Sequence, residues 1–318
     1  MFTKPLVSII IPCKIVDEYT TECIEGCKRL DYPNVEIILL PDTYVPTIDG
    51  IKIIATGPVA PGTKRNIGVA KSRGEICAFI DNDAYPRNDW LTNATKILED
   101  PSVGGVGGPG ITPPKDSLLQ KASGLVMSSF MVGTLSKRYK TQNNFESDDI
   151  HSCNFIAPKS VILAAGGWNE KYWPGEDTLM CLGIRKLGKK LIESSEVVVY
   201  HHRRSLFKPH LKQVSRFGEH RGLFARKYPQ NSAKITYFFP SVLILSLTVG
   251  LILSLLIPYF IYIMVLGLLV YLISCSIAAA QQVRSLKLFF IVWIGIIVTH
   301  ITYGIYFLSG LLKRDLKR

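Results

Sequence analysis

The sequence has few acidic residues, and long stretches of its C-terminal part have no charge of either sign. Asp and Glu total 25 against 37 Lys and Arg, which gives a formal net charge of +12. Three long apolar runs have no charged residue in their interior: residues 235–257, 259–280 and 286–312. Because about 20 apolar residues suffice for a helix to cross a bilayer, this lack of charge excludes a wholly soluble chain. It predicts a C-terminal membrane segment of about three helices.

Neither an N-terminal signal peptide nor a disulfide framework is expected. The first apolar run, residues 6–11, is too short for the core of a signal peptide and is interrupted by Pro12. The seven cysteines are odd in number and scattered, which indicates buried free thiols in a reducing compartment. Cys23 and Cys27 are spaced for one helix face, but no second pair of ligands follows, which argues against zinc. We therefore expect a cytoplasmic domain ahead of the membrane segment.

A basic segment precedes the first apolar run. Residues 203–227 contain eight Lys or Arg and one Glu, and such flanks favour the cytoplasmic side of a membrane. Apolar residues recur within it at helical spacing, which predicts an amphipathic helix on anionic lipid: Phe207, Leu211, Val214, Phe217 and Phe224. No aromatic-and-basic motif for nucleic acid accompanies the charge, so membrane lipid is the expected partner.

The C-terminal tail leaves the topology open. Three spans would place the basic residues 313–318 outside, against the same charge rule. Either the first orientation signal dominates, or one apolar segment is re-entrant.

The first 234 residues alternate short apolar runs with helical patterns. Strands are predicted at residues 6–11, 35–40, 51–55, 76–80 and 103–107, and helices at residues 18–29, 62–72 and 89–98. Continuous Ile, Val and Leu runs indicate strands that are covered on both faces. This pattern predicts an α/β fold with a mostly parallel sheet and helices on both faces. A polar stretch, residues 137–149, is predicted to be a loop.

Polar residues follow three of these strands. Pro12 and Cys13 follow the first, Asp42 follows the second, and Asp81-Asn82-Asp83 follows the fourth. Ligands of such sheets bind beyond the carboxyl ends of the strands, and two carboxylates one residue apart can hold a hard divalent cation. A lone Asp-x-Asp pair is more often a solvated turn with a helix cap, so its meaning depends on its surroundings.

Those surroundings resemble the nucleotide-sugar domain of family 2 glycosyltransferases. The similar stretches are VSIIIPCK, PDTY and PGTKRNIGVAKSRGEICAFIDNDAYPRNDWL, and the likeness runs over residues 5–230. The resemblance implies a Rossmann-like GT-A fold, a nucleotide-sugar donor and a divalent cation, Mn²⁺ or Mg²⁺. It assigns the donor to the following residues: Pro12, Cys13, Asp42, Lys64, Arg65, Asn66, Asp81 and Asn82. It assigns the metal to Asp83.

The stretch GGWNEKYWPGEDTLMCLGIRKLG resembles the acceptor half of that family. By this resemblance Gly167 and Trp168 form the turn and aromatic platform of the acceptor side. Glu176 and Asp177 match the x-E-D motif, whose aspartate serves as the base. That role is chemically sensible because an acceptor hydroxyl must lose its proton as it attacks.

The stretch VVVYHHRRSLFKPHLKQVSRFGEHRG completes the resemblance. A histidine after a late strand is implied to join the metal, and the register favours His201 over His202. Gln213, Arg216 and Phe217 match a variant of the Q-x-x-R-W motif of membrane polysaccharide synthases. Gln213 is expected at the donor, Arg216 at the leaving diphosphate and Phe217 against the acceptor.

The resemblance implies an inverting, metal-dependent glycosyltransferase at the cytoplasmic face of the cell membrane. We expect three regions: a catalytic domain over residues 1–200, a basic interfacial region over residues 201–234 and membrane helices over residues 235–318. Its acceptor would be a hydroxyl of a lipid-linked saccharide or an envelope glycan. Two alternatives stay open: a polyprenyl- or dolichyl-phosphate glycosyltransferase, whose ionised acceptor needs no base, and an inactive nucleotide-binding scaffold.

Overall fold

A computed structural model of the chain describes residues 4–132 and 144–316. These residues form two compact units, one of residues 4–113 and 144–202 and the other of residues 114–132 and 203–316. The domain boundaries near residues 200 and 234 stay a prediction. Part of the predicted loop, residues 137–143, lies outside the described residues.

The strands of the described chain all lie in the first unit. They are β1 (Val7–Pro12), β2 (Val35–Leu40), β3 (Ile51–Ile53), β4 (Ile76–Ile80), β5 (Ala84–Pro86), β6 (Val103–Gly107), β7 (Gly110–Ile111), β8 (Phe145–Ser147), β9 (Asn154–Pro158), β10 (Lys190–Glu193) and β11 (Val199–His201). The predictions for β2, β4 and β6 are confirmed residue for residue, because each is a short stretch of mostly apolar residues and glycine.

The helices divide between the units. The first unit holds α1 (Glu18–Lys28), α2 (Pro61–Lys71), α3 (Trp90–Leu98), α5 (Lys159–Ala164) and α6 (Glu176–Lys186). The second holds α4 (Leu118–Ser128), α7 (Lys208–Lys227), α8 (Pro229–Ser232), α9 (Ile235–Leu256), α10 (Phe260–Ala280) and α11 (Leu286–Leu312).

Within the described residues, the larger sheet has eight strands in the order β3-β2-β1-β4-β9-β6-β10-β8. The pairs among β3, β2, β1 and β4 are parallel, as is the pair of β6 with β10. Strand β9 is antiparallel to both β4 and β6, and β8 is antiparallel to β10. The mostly parallel sheet is thus confirmed, with an antiparallel strand at its centre that was not predicted.

Helices cover both faces of this sheet, as predicted. Alternate residues of a strand point to opposite faces, and β1 shows this directly. Ile9 and Ile11 belong to one buried cluster with residues of α1 and α3, whereas Ile10 belongs to a second with residues of α2, α5 and α6. All seven cysteines lie in the described part of the chain and are buried and free, as predicted.

A small second sheet, in the order β5-β11-β7 among the described residues, lies beside the polar strand ends. Strand β11 pairs antiparallel with β5, so that His201 lies opposite Ala84. The amide of His202 then donates to the carbonyl oxygen of Asp83 at 2.9 Å. These short strands bring a late segment of the chain onto the Asp-x-Asp turn.

The second unit contains the three helices of the described chain that are long and apolar enough to cross a membrane, namely α9, α10 and α11. Their bounds agree with the predicted spans to within one residue. Large apolar side chains such as Leu255 and Leu256 are mostly exposed on α9, which suits contact with lipid.

Helix α7 is the predicted amphipathic helix, but protein covers much of its apolar face. Val214 and Phe224 are buried, and α7 packs along α11. Gly222 allows this close approach, because a Cβ at that position would overlap the backbone carbonyl of Phe307. The expectation that these side chains face lipid is corrected accordingly.

The buried His210 of the second unit is held by neutral partners. Thr299 donates to the carbonyl of Gly295 at 2.6 Å, so its hydroxyl accepts from His210 Nε2 at 3.0 Å, and Ser123 donates to His210 Nδ1 at 2.8 Å. Burial lowers the pKa of His210 to about 4, which keeps this imidazole uncharged at neutral pH.

Candidate active site

The carboxyl ends of β1, β2 and β4 bring the predicted polar residues of the first unit together. Asp81, Asp83 and His201 each offer a ligand atom, and these atoms all lie within 4.8 Å of one another. The three side chains are partly exposed. Two carboxylates and one imidazole with access to solvent are a donor set that suits a divalent cation.

The two adjacent histidines point to opposite sides, as expected for residues at the end of a strand. His201 Nε2 lies 3.1 Å from Asp83 Oδ1. His202 Nε2 lies 2.8 Å from Glu22 Oε2, and its ring packs 4.4 Å from that of Tyr19. The structure therefore brings His201, and not His202, into the cluster with Asp81 and Asp83.

The local charge raises the pKa of His201. Burial by itself lowers that pKa, but Asp83 and, to a smaller extent, Cys153 outweigh burial, and the net effect raises the pKa to about 10. In the absence of a cation the imidazole is therefore protonated and paired with Asp83. Cation binding at this cluster would displace that proton, because a metal ligand must be deprotonated.

Lys64 forms hydrogen bonds at the carboxyl ends of both β1 and β2. Its ammonium donates to the carbonyl oxygens of Cys13 at 2.9 Å and Leu40 at 3.0 Å and to the hydroxyl of Thr56 at 2.8 Å. It also forms an ion pair of 2.6 Å with Asp42 Oδ1. Lys64 is therefore buried inside the framework of the site, and the Asp42 carboxylate, at 20% exposure, is the part of the pair that a ligand can reach.

Pro12 and Cys13 form the end of β1 beside this ion pair. Burial raises the pKa of the Cys13 thiol to about 11, so the thiol is neutral, and its backbone carbonyl is the group that Lys64 contacts.

Arg65 connects the two halves of the site. One terminal nitrogen donates to Glu176 Oε1 at 2.9 Å and the other to Asp81 Oδ1 at 3.0 Å. Burial disfavours the charged form of this buried side chain, but Asp81 and Glu176 outweigh burial and raise its pKa. Arg65 thus couples the Asp-x-Asp turn to the start of α6.

Asn66 holds the glycine-rich turn against α2. Its side chain accepts from the amide of Trp168 at 2.8 Å and donates to the carbonyl of the same residue at 2.8 Å. It also donates to Glu170 Oε1 at 2.8 Å. Gly167 has a φ of +74°, which lets the turn present both backbone groups of Trp168 to one side chain.

Trp168 is 2% exposed and belongs to the core. Its ring packs against Phe79 and Phe155 at centroid distances of 4.8 and 5.5 Å, and the guanidinium of Arg65 lies 4.9 Å from its centroid. A buried ring offers no open face for stacking on an acceptor, so the predicted platform role is corrected to one of support for Arg65. Trp173, 43% exposed on the same segment, is an aromatic surface that the motif match did not single out.

Asn82 contacts the start of α1. It donates to the hydroxyl of Thr20 at 2.9 Å, which in turn donates to Asp17 Oδ1 at 2.7 Å. Asp17 also accepts from the amide of Thr20 and caps the helix. Asp17 therefore supports the Asp-x-Asp turn through Thr20. The sequence did not predict this contact, because the two segments are far apart in the chain.

Glu176 and Asp177 form the first turn of α6, where a helix N-terminus stabilises negative charge. Glu176 is buried beside Arg65, whereas Asp177 is partly exposed and accepts from the amide of Thr178 at 2.8 Å. Asp177 is therefore the carboxylate of this pair that a substrate can reach.

Similar known proteins indicate the family of this domain. The model for Glycosyl transferase family 2 matches residues 8–161. Residues 8–161 therefore form a family 2 glycosyltransferase domain. The chain is 28% identical over 280 residues to the dolichyl N-acetyl-alpha-D-glucosaminyl phosphate 3-beta-D-2,3-diacetamido-2,3-dideoxy-beta-D-glucuronosyltransferase of Methanococcus voltae, an alignment that covers 81% of this chain and 84% of the relative.

Two further comparisons bear on the family and the fold. An uncharacterized glycosyltransferase of Haemophilus influenzae is 30% identical over 106 residues, which are 30% of this chain and 42% of that relative. The mannosyltransferase PcManGT from Pyrobaculum calidifontis, solved in complex with GDP-Man and Mn²⁺, has a TM-score of 0.57 and 18% identity, with 99% of this chain and 89% of that chain covered. At this identity the likeness shows the fold, and it confirms the GT-A prediction.

Some candidate site residues lie outside the residues that the family model matches. Glu176, Asp177 and His201 follow the matched residues 8–161. The Q-x-x-R-F variant lies on α7 in the second unit, where Phe217 lines a cavity. The roles of Gln213, Arg216 and Phe217 stay predictions.

Proposed function

We propose that this enzyme transfers a sugar, with inversion, from a nucleotide diphosphate donor to a hydroxyl of a lipid-linked saccharide or cell-envelope glycan. One observation carries the proposal. A single buried side chain, Arg65, contacts both Asp81 of the candidate metal cluster and Glu176, which precedes Asp177. Donor and acceptor chemistry need such a fixed relation, because the reacting groups must be held within reach of each other.

The donor half rests on Asp42, Lys64 and Asp81. Asp42 is held by Lys64 and remains partly exposed, so it can accept hydrogen bonds from the hydroxyl and N–H groups of a nucleoside. Asp81 is held by Arg65 with a third of its side chain exposed and is assigned to the nucleoside side of the turn. Pro12, Cys13, Asn66 and Asn82 are proposed to contact the donor as well.

Asp83 and His201, with Asp81 adjoining, would hold the cation. A bound Mn²⁺ or Mg²⁺ would neutralise charge on the diphosphate of the donor. Arg216 and Gln213 are proposed to act on the same leaving group, and Phe217 on the acceptor.

Asp177 is the proposed base. The acceptor hydroxyl gives its proton to this carboxylate while its oxygen forms a bond to the anomeric carbon. The bond from that carbon to the diphosphate oxygen breaks, and the electron pair leaves with the nucleoside diphosphate. Because attack comes from the side opposite the leaving group, the configuration of the anomeric carbon is inverted.

The acceptor class is proposed from the relative and the membrane helices. The name of the Methanococcus voltae relative describes transfer to a sugar that is joined to dolichyl phosphate. A hydroxyl of that kind needs a base, which Asp177 supplies here. The basic residues that precede α9 favour a cytoplasmic position for the donor site.

The test uses the purified full-length chain with UDP- and GDP-sugars, with and without Mn²⁺ or Mg²⁺. We expect at least one donor to raise the melting temperature only when a cation is present. Asp83→Asn should abolish that shift. Asp177→Asn should keep it and lower transfer to a lipid-linked saccharide by about 100-fold or more.

Asp31→Asn is the matched control. Asp31 is an exposed acid that precedes β2, at the opposite end of the strands from the site, so this variant should keep both donor binding and transfer. Full turnover by Asp177→Asn would instead support a polyprenyl-phosphate acceptor. Cation-dependent binding without transfer to any acceptor would support a scaffold, and the lack of a shift with every donor would refute the proposal.

A further inference from the structure

The second unit contains a cavity that the proposed chemistry does not use. Its volume is about 490 Å³, and it lies between α7, α9, α11 and the segment that follows α4. Phe, Met, Val, Ile and Pro side chains form most of its lining. This volume falls within the range of about 300–1,000 Å³ that is usual for small-molecule sites, so the cavity can take part of a lipid chain.

Two polar residues of the lining are already satisfied by protein. Thr299 donates to Gly295 and accepts from His210, as described above. His300 donates through Nε2 to the carbonyl of Met131 at 2.8 Å and accepts at Nδ1 from the Tyr271 hydroxyl at 2.9 Å. The polar atoms of Thr299 and His300 are therefore already paired with protein groups and do not need a ligand.

Tyr303 differs from these two. Its hydroxyl oxygen is buried and has no hydrogen-bond partner within the described residues, and its side chain lines the cavity. An unsatisfied buried hydroxyl costs free energy. The cavity thus combines a mostly apolar wall with a buried hydroxyl, that of Tyr303, which a ligand can satisfy.

The charge beside the cavity indicates what kind of lipid fits. Val214 and Phe217 of the lining lie on α7. The same helix carries several cations and one acid, Glu219: its cations are Lys208, Lys212, Arg216, Arg221, Arg226 and Lys227. A ligand with an apolar chain and an anionic head is complementary to this combination.

We propose that the cavity holds the apolar chain of a polyprenyl phosphate, the carrier to which the acceptor saccharide is joined. The proposal rests on the proposed function, since it names the lipid part of that acceptor. It places recognition of the carrier in the membrane unit and leaves the sugar hydroxyl to the donor site. Tyr303 would donate to an oxygen near the start of the chain.

The test uses the full-length protein in detergent and a C20 prenyl monophosphate that carries a diazirine on its chain. After irradiation, mass spectrometry should find the label on residues of the cavity lining. Val242 lines the cavity on α9 and is 54% exposed. Val242→Trp should fill the space and reduce labelling by about tenfold or more, because each excluded methylene group weakens binding.

Val249→Trp is the matched control. Val249 lies two turns further along α9, is 51% exposed and does not line the cavity. This variant introduces the same side chain into the same helix and should label like the wild type. Equal loss of labelling in both variants, or label that maps outside the cavity in the wild type, would overturn the proposal.

Two further arms separate the possible sources of a bound chain. An excess of unlabelled prenyl monophosphate should compete with the label, whereas phosphatidylglycerol should not. Equal competition by phosphatidylglycerol would identify a general phospholipid site and overturn the proposal. The shift in melting temperature caused by the donor is measured in the same preparations. If the wild type shows no shift, the proposed function is refuted. If the shift is present but the label lies outside the cavity, only this inference is refuted.

Discussion

The two units solve the same physical problem differently. Both remove polar side chains from water, but the α/β unit buries charges and pairs them with opposite charges, as in Lys64 with Asp42 and Arg65 with Glu176. The membrane unit instead buries neutral groups that share hydrogen bonds, as around His210 and His300. In these examples, the buried polar side chains of the α/β unit are paired with opposite charges, whereas those of the membrane unit are paired with neutral groups.

The reason lies in the cost of desolvation. A buried ion pair is tolerated when good geometry and further hydrogen bonds offset the loss of water, and a pocket that must bind a charged donor needs such groups in place. A helix within lipid has no nearby water, so neutral hydrogen bonds and close backbone packing are the less costly solution. Three changes test this contrast, from the largest expected effect to the smallest.

Arg65→Met should have the largest effect on stability. It removes the cation that lies between Asp81 and Glu176, so the buried Glu176 carboxylate loses its ion pair with Arg65. Breaking a buried pair in this way costs about 3–5 kcal/mol. The measurement is the thermal unfolding of the full-length protein in detergent, with donor-dependent stabilisation lost as well.

Arg73→Met is its control. Arg73 also contacts a buried carboxylate, Glu36, but its own side chain is 75% exposed, and Glu36 keeps the hydrogen bonds from Ser8 and from two backbone amides. The expected loss is below about 1 kcal/mol. Equal losses in the two variants would mean that burial does not set the strength of these pairs.

Gly222→Ala should have an intermediate effect. The added Cβ would overlap the carbonyl oxygen of Phe307 on α11, so α7 and α11 must separate, at a cost of about 1–3 kcal/mol. Gly267→Ala is the matched change on α10, where a Cβ meets nothing within 4 Å. It should leave the melting temperature in detergent unchanged or slightly raised, and a loss there equal to that of Gly222→Ala would contradict the role of close packing.

The smallest effect concerns His210. Its folded pKa of about 4 lies below the ordinary 6.5, so between these values the unfolded chain binds the proton more readily. The free energy of unfolding therefore falls as the pH is lowered, by about 2 kcal/mol between pH 7 and pH 5 from this residue. His210→Gln should show a shallower fall than the wild type in unfolding measured at both pH values.

Ser123→Ala gives the matching control for that experiment. It removes one partner of the His210 imidazole but keeps the titrating group. We expect lower stability at pH 7 and an unchanged fall towards pH 5. A fall in His210→Gln as steep as in the wild type would assign the pH dependence to other groups.

Local sequence patterns predicted much of the fold. β2, β4, β6 and α11 agree with their predicted bounds because each is a short or uninterrupted apolar run with clear ends. The antiparallel strand β9 between β4 and β6 was not predicted. Strands that pair although they are far apart in the chain produce no local pattern in the sequence from which the pairing can be predicted. The three short strands of the second sheet were missed for the same reason.

The site was predicted as a set of residue types but not as a set of contacts. The strand-end acids could be found because parallel strands end at one edge. That Arg65 lies between Asp81 and Glu176, or that Asn82 reaches α1 through Thr20, depends on side-chain packing across segments. The burial of Trp168 likewise follows from its neighbours Phe79 and Phe155 and not from its motif.

The pairing of β11 with β5 also bears on how the protein is made. Asp83 and His201 are 118 residues apart in the chain, and they become neighbours only when β11 closes onto β5. A nascent chain that has left the ribosome only through β10 contains both aspartates but lacks the imidazole. The candidate metal cluster is therefore completed at the last strand of the unit, and any cation that prefers the completed cluster would favour the closed topology by mass action.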